Sequence, residues 1–353
     1  MKVSAIVEVD VMKIVVLDDS RINTGDLSWE RMEKLGELAV YGQTPAGKIL
    51  ERIGDAQAVY TNQVSIDGGL MDQCPCLEYI GVLATGYNIV DVRAAAERGI
   101  TVTNVPGYGT EAVSQFAIGL LLELCGRVGD YSRRVMEGEW LKRADQCHWG
   151  SPLIQLAGKT MGIVGMGRIG LRTARIARAL GMEILYDSPH RNEEAERDGF
   201  RRVSREELFR QADVISLHCP LFDGTKEMIN RETIAMMKRG VLIVNTSRGG
   251  LVDEQALREG LESGQVGGAA SDVAVKEPMG PDSPLYQAPN MIVTPHIAWG
   301  TKEARQRMID IATDNMAAYL SGHPQNMVSD LSDMADQPVG GTADRQEERN
   351  GLE

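Results

Sequence analysis

At 353 residues, 43% hydrophobic and 25% charged, the chain has an ordinary globular composition and enough length for two domain cores. Its formal charge of −13, from 37 basic and 50 acidic side chains, argues against nucleic acid as the main partner, since phosphate binding asks for a basic field. A pocket can still be locally positive, so an anionic substrate is not excluded.

No apolar run approaches the ~20 residues that span a bilayer, so no membrane partner is expected. The first ten residues carry acids where a signal peptide needs an unbroken apolar stretch. Five cysteines (Cys74, Cys76, Cys125, Cys147, Cys219) are irregularly spaced and match no zinc pattern, which predicts a reduced, cytoplasmic protein without metal.

Residues 1–11 precede a second methionine, Met12, and read as an extension or a misassigned start. Over 12–110, strands at 13–17, 58–61, 79–83 and 100–103 alternate with helical segments such as 29–38 and 90–98. That alternation predicts a parallel sheet covered by helices. The first strand leads into Asp18-Asp19-Ser20-Arg21, which cannot bring backbone close to a pyrophosphate. A helix over 111–126 follows, with Val113, Phe116, Ala117, Leu120, Leu121 and Leu124 at helical spacing and Gly126 as its stop. The stretch 127–156, holding Tyr131, Trp140 and Trp149, is expected to be irregular and either functional or a cover for another surface.

From Lys159 the alternation restarts, with strands at 160–164, 183–186, 214–217, 241–245, 267–271 and 291–294. A helix over 169–180 ends at Gly181, and the six strands make a doubly wound pattern. A last helix is expected over 302–320, and the polar tail from Ser329 is expected to be disordered.

Only the second half carries a glycine turn, Gly165-Met166-Gly167-Arg168-Ile169-Gly170, between an apolar strand and a helix. In that context Gly165 permits the turn, Gly167 lets a pyrophosphate approach, and Gly170 lets helix and strand pack. The backbone N–H groups of Arg168 and Ile169 lie at the helix N-terminus, where anions bind. Asp187 follows 17 residues past Gly170. A carboxylate there accepts from a ribose 2′-OH and repels a 2′-phosphate, so NAD is favoured over NADP. The nearby His190 and Arg191 point the other way.

Three titratable or charged residues follow in short contexts: Arg248 in Thr246-Ser247-Arg248-Gly249-Gly250, Glu277 in Asp272-Val273-Ala274-Val275-Lys276-Glu277-Pro278, and His296 in Thr294-Pro295-His296. Each follows a strand's carboxyl end, where ligands gather in open α/β sheets. An arginine suits a substrate carboxylate because its planar fork binds two oxygens and stays charged. A carboxylate beside a histidine stabilises the protonated ring, which can then deliver a proton as hydride arrives. His218 also ends a strand and is the rival acid/base, although Cys219-Pro220-Leu221 after it reads as a cofactor-lining loop.

With these motifs the chain resembles the D-2-hydroxyacid dehydrogenase family from about Met12 to Leu320, and within it the glycerate branch. Gly81-Val82-Leu83-Ala84-Thr85-Gly86-Tyr87-Asn88 resembles the family's substrate loop, and Asn104-Val105-Pro106-Gly107-Tyr108-Gly109-Thr110 its hinge. The resemblance implies two doubly wound parallel-sheet domains, Rossmann and flavodoxin-like, with a cleft between them. The substrate domain would comprise 12–110 and 300–328, the NAD domain 111–299, with 1–11 and 329–353 as flexible extensions. It further implies His296 as acid/base, Glu277 as its partner, Arg248 as substrate clamp, and backbone N–H groups of Thr85 and Gly86 on the substrate carboxylate. Asp272 and the main chain at Thr246 would touch the nicotinamide end, with Val113 packed nearby and Cys219 and Pro220 lining the cofactor. A homodimer through the cofactor domain is implied, with 127–156 the candidate interface.

Glu277 stands where formate dehydrogenases of this family place glutamine, and the tail is too short for the regulatory domain of many phosphoglycerate dehydrogenases. The implied activity is interconversion of a small 2-keto acid, hydroxypyruvate or glyoxylate, and the D-2-hydroxy acid. An NAD-sensing interaction protein resembling corepressors on this fold, or a dehydrogenase of another substrate such as phosphite, are the alternatives.

Overall fold

Short runs, most of them aliphatic, form twelve strands among the residues described by the computed structural model, namely 11–142, 147, 150 and 152–329. Contacts divide these residues into two units: those up to Gly109 together with those from Gly300 onward, and Thr110–Trp299.

The first unit holds β1 (Lys13–Val16), β2 (Glu37–Val40), β3 (Ala58–Thr61), β4 (Tyr79–Val82) and β5 (Thr101–Thr103). They form one parallel sheet in the order β2-β1-β3-β4-β5, the flavodoxin-like winding. Val15, Val59, Ile80, Val82 and Val102 build one core with Ile53, Met71 and Ala95 from the covering segments. The C-terminal helix Lys302–Leu320 returns to this unit, where the buried Tyr60 hydroxyl donates to the Ala312 carbonyl at 2.9 Å.

Two sequence expectations fail in this unit. The segment 29–38 is not one helix: a single turn, Glu30–Glu33, precedes β2. As the outermost strand, β2 buries neither face fully, so its residues show no period-2 pattern. Ser329, expected to open a disordered tail, is buried, and its hydroxyl accepts from the Val102 amide at 2.9 Å. Val328 N–H also donates to the Val102 carbonyl at 2.8 Å, so the chain closes along β5. The expectations for 1–10 and 330–353 lie outside the described residues.

The second unit carries β6 (Thr160–Val164), β7 (Glu183–Asp187), β8 (Arg201–Arg202), β9 (Val214–Leu217), β10 (Val241–Asn245), β11 (Val266–Ser271) and β12 (Met291–Val293). Their order, β12-β11-β10-β9-β6-β7-β8, is the doubly wound Rossmann sheet extended by β12. The six expected strands are present, and the two-residue edge strand β8 is additional. Successive side chains of β10 point to opposite faces. Leu242 and Val244 join a core with the helices Thr110–Gly126 and Arg168–Ala179, while Val241 and Ile243 join Leu208, Phe209, Leu257 and Leu261 on the other side.

The stretch 127–156 is not wholly irregular, for Val128–Met136 is helical. That helix buries none of its residues, but Arg133 pairs with Asp130 at 2.6 Å and Glu137 at 3.0 Å. Such i,i+3 and i,i+4 pairs support a helix that the apolar pattern cannot announce. Trp149 lies outside the described residues. No single helix among the described residues is long and apolar enough to cross a membrane.

Gly81 in β4 marks the tightest packing of the first sheet, since a Cβ there would stand 2.1 Å from the ring of the fully buried Tyr60. Gly81→Ala is expected to destabilise the protein by about 1–3 kcal/mol, the usual range for overpacking. Urea unfolding checks this, and a midpoint equal to that of the parent chain would contradict it.

Candidate active site

The strand–turn–helix around Gly165 is shaped by close approach. Gly165 sits at φ +97°, and a Cβ there would lie 2.7 Å from the Cys219 nitrogen and the His218 carbonyl. A Cβ on Gly170 would lie 2.1 Å from the Gly165 oxygen, whereas Gly167 faces open space. Gly167 caps the helix Arg168–Ala179 without a side-chain hydrogen bond, which leaves the N–H groups of Arg168 and Ile169 at a free helix start. The Asn192 side chain donates to the Met166 carbonyl at 2.8 Å and the Gly165 amide donates to Asp187 O at 2.8 Å, locking the turn onto the end of β7.

Asp187, the last residue of β7, is paired with Arg205, Nε to Oδ2 at 2.8 Å. Nothing in the sequence points to Arg205, because a residue 18 positions downstream at the start of a helix has no spacing signal. Arg191, by contrast, is committed to Glu196, with Nε 2.6 and 2.8 Å from its two oxygens. Cys219 is buried, and that burial pushes its thiol up to about 11. Pro220 beside it is exposed, and its carbonyl accepts from Thr225 Oγ1 at 2.8 Å.

At the carboxyl end of β10, the buried Asn245 shapes the next turn by donating to the Arg248 carbonyl at 2.8 Å and accepting from the Ser247 amide at 3.0 Å. The Arg248 side chain is exposed, with Nη1 2.8 Å from the Ser247 carbonyl. A Cβ on Gly249 would fall 2.0 Å from the Ala274 carbonyl carbon, so only glycine lets the Arg248 turn lie against the segment leading to Glu277. Glu254 fastens that segment from below, accepting from the Val275 amide at 2.9 Å and the Ser283 hydroxyl at 3.1 Å.

Glu277 accepts from the Ala274 amide at 3.0 Å and meets His296 Nδ1 at 2.7 Å. Partial burial pushes its carboxyl upward, but the hydrogen bonds from His296 and Ala274, with the charges of His296 and Arg248, outweigh burial and leave it below the usual carboxylate range. Arg248 therefore stands close enough for its charge to be felt at Glu277.

His296 has the left-handed backbone φ of +55°, which side chains other than glycine adopt only under restraint. The restraint is Asp272, buried at the end of β11. Its carboxylate accepts from Thr294 Oγ1 at 2.6 Å, Ile297 N–H at 3.0 Å and Ala298 N–H at 2.7 Å. Trp299 Nε1 adds a bond to the His296 carbonyl at 3.0 Å. Asp272, expected at the nicotinamide end, thus turns both carboxylate oxygens to the histidine loop.

The rival His218 is held by Ser216, Oγ to Nε2 at 2.8 Å, and burial pushes its imidazole down to about 4, so it is neutral at pH 7. Val113 is buried in the helix Thr110–Gly126. Thr85 and Gly86 belong to the first unit, in the loop after β4. There Thr85 Oγ1 donates to the Val105 carbonyl at 3.0 Å and its own carbonyl accepts from Asn104 at 2.8 Å.

These residues fit a dinucleotide. The glycine turn leaves room above Gly167, a helix start faces it, and Thr246 Oγ1 at the end of β10 is buried without a hydrogen-bond partner among the described residues. No group of three metal-ligating side chains occurs among the described residues.

Residues 118–298 match the family described as D-isomer specific 2-hydroxyacid dehydrogenase, NAD binding domain. The chain is 50% identical over 321 residues to a hydroxypyruvate reductase of Blautia hydrogenotrophica, covering 90% of this chain and 100% of that protein. It is 40% identical over 283 residues to a glycerate dehydrogenase of Methylorubrum extorquens, covering 80% and 88% respectively. Among solved structures, a protein of Thermus thermophilus superposes with a TM-score of 0.80 at 36% identity, covering 90% of this chain and 100% of that one. A nicotinamide-binding sheet with an Arg–Glu–His cluster at its carboxyl edge, on a chain so similar to these proteins, makes it a member of the D-isomer specific 2-hydroxyacid dehydrogenase family.

Proposed function

We propose that the enzyme reduces a small 2-keto acid, hydroxypyruvate or glyoxylate, to the D-2-hydroxy acid with NADH in preference to NADPH. The observation that carries this reading is the 2.7 Å contact between Glu277 and His296 Nδ1, beside the Arg248 turn. It leaves Nε2 as the ring nitrogen free to serve a substrate. The names of the two curated relatives support the substrate class.

In this reading Gly165, Gly167, Gly170 and the N–H groups of Arg168 and Ile169 hold the pyrophosphate, and Asp187 accepts from the adenosine ribose. Cys219, Pro220, Val113, Thr246 and Asp272 line or shape the remainder of the cofactor site. When bound, the reduced nicotinamide supplies the hydride that reaches C2 of the keto acid.

Arg248 binds the substrate carboxylate and polarises the carbonyl, since a planar guanidinium fork meets two oxygens at once. The N–H groups of Thr85 and Gly86 are assigned to the same carboxylate. His296 Nε2 gives its proton to the former carbonyl oxygen as the C–H bond forms, and Glu277 holds the ring at Nδ1 and balances its charge. The oxidation of the hydroxy acid runs the same steps backward, with His296 taking the proton.

Val128, Met136, Trp140 and Leu141 are exposed, Met136 at 84% and Leu141 at 91%. Isolated exposed apolar residues are common, but a run of them on one segment marks an interaction surface. Residues 127–156 are therefore assigned to a homodimer contact. The cysteines are free thiols, which supports a reducing, cytoplasmic setting, and the acidic net charge supports a small molecule over nucleic acid as partner.

Steady-state rates with hydroxypyruvate, glyoxylate, pyruvate and phenylpyruvate, each with NADH and NADPH, test the reading. The first two with NADH should give the highest kcat/KM, and a preference for phenylpyruvate or for NADPH would refute it. His296→Ala is expected to slow turnover by about 10²–10⁴-fold with NADH binding retained, and a near-parental rate would remove His296 from the chemistry.

Because its pKa is depressed, Glu277 stays ionised through neutral and mildly acidic pH, and its hold on His296 is lost only as pH falls through that lowered value. Glu277→Gln removes the charge at every pH. kcat/KM for keto-acid reduction should then fall while NADH binding is retained, and an unchanged kcat/KM would dissociate Glu277 from the chemistry. Leu141→Asp should shift the protein toward monomer by light scattering, whereas an unaltered mass would place the contact elsewhere.

A further inference from the structure

We propose that Arg205 is a coenzyme-specificity residue: it holds Asp187 as the acceptor for the adenosine ribose, and it is the cation a 2′-phosphate meets once Asp187 loses its charge. The inference rests on the assignment of Asp187 to the ribose.

Three features place this guanidinium. Arg205 opens the helix Arg205–Gln211, whose N-cap Ser204 accepts from the Glu207 amide at 3.2 Å. That helix lies hard against β6, because a Cβ on Gly162 would be 2.4 Å from Leu208. Its start is therefore fixed beside the end of β7. From there Nε reaches Asp187 Oδ2 at 2.8 Å and Nη1 reaches the Gly224 carbonyl at 3.3 Å, so the side chain spans the ribose acceptor and the loop after β9. The buried Cys219 thiol senses both charges, Arg205 lowering and Asp187 raising its pKa beneath the larger effect of burial. The pair thus sits at the wall that Gly165 and Cys219 share.

Two other cations near this strand end are committed elsewhere. Arg191 is bound by both oxygens of Glu196, and Arg202 donates to the carbonyls of Ser188 at 2.8 Å and Pro189 at 3.0 Å. Arg205 alone among these contacts the residue that discriminates the two coenzymes. Asp187 Oδ1 has no hydrogen-bond partner among the described residues, so the pair leaves one oxygen for a ribose hydroxyl.

A guanidinium binds a carboxylate or a phosphate with the same fork. While Asp187 is ionised, it occupies Nε and repels a 2′-phosphate. Without that carboxylate, the contact to Gly224 keeps the cation in place with its Nε unmet, which is the arrangement a 2′-phosphate needs.

Four proteins test this: the parent, Arg205→Ala, Asp187→Ser and the double variant. Each is titrated with NADH and NADPH by protein fluorescence and assayed with hydroxypyruvate, and thermal melts report folding. Arg205→Ala should weaken NADH binding by about twofold to fivefold, as loss of a partly exposed charge pair does. Asp187→Ser should bind NADPH on the order of tenfold more tightly than the parent does, and the double variant should lose that gain. Arg205→Gln carries the same comparison if the alanine variant melts early. A gain that survives in the double variant means that another cation, such as Arg168 or Arg191, meets the phosphate, and it overturns the proposal. So does an Arg205→Ala protein that binds NADH as the parent does. A parent that prefers NADPH overturns the coenzyme reading instead, and the parent measurement alone shows it.

Discussion

The buried carboxylate of Asp272 is the constraint on which the chemical end of the second unit depends. A carboxylate removed from water is costly unless donors replace its hydration. Here Thr294, Ile297 and Ala298 supply three, all from the loop that carries His296. The loop is closed around that charge, and His296 is left at a backbone angle it would not adopt alone. With Trp299 fixing the His296 carbonyl, the ring's Nδ1 is delivered to Glu277. Loss of the Asp272 charge would release loop and ring together.

A second constraint is steric. Arg248 and Glu277 come from different strand ends, β10 and the loop after β11, and a side chain between them would keep them apart. Gly249 removes the obstacle, because Ala274 occupies the place of its missing Cβ. The glycine turn of β6 obeys the same logic, Gly165 and Gly170 making room for neighbouring backbone while Gly167 faces open space. Parallel winding then does the rest, for every carboxyl end in the sheet opens on one edge. An acidic chain in this way places a free helix N-terminus and an exposed arginine along one sheet edge without needing a positive net charge.

Much of this was legible in the sequence because burial and glycine leave periodic or positional marks. Fully buried strands such as β3, β4, β9 and β10 appear as short, mostly apolar runs, and the glycine turn and the Arg–Glu–His contexts have fixed local patterns. What escaped lacks such marks. The edge strand β2 has no buried face, and the helix Val128–Met136 is supported by ion pairs rather than by a core stripe. Ser329 is held by one hydroxyl contact to β5 that composition cannot signal. Arg205 and Glu254 act on residues far along the chain, so only the packing of helix on sheet shows what they touch. Asp272 was singled out, but its hold on the histidine loop rests on hydrogen bonds to the chain two dozen residues on, which no local motif displays.

The ion pairs at this sheet edge differ in kind from Asp272. His296 and Glu277 are exposed at 42% and 39%, and Arg205 and Asp187 at 38% and 19%. Pairs so open to water contribute little to stability, since solvent screens the attraction that ordering the side chains must offset. Their effect is directional: each fixes one atom of a side chain and leaves another, Nε2 of the ring or Oδ1 of the carboxylate, without a hydrogen-bond partner among the described residues. The buried carboxylate builds the scaffold, and the half-open pairs aim what it holds. Altering one partner of such a half-open pair therefore leaves the fold beneath it intact, because the buried carboxylate and its three donors do not depend on that partner.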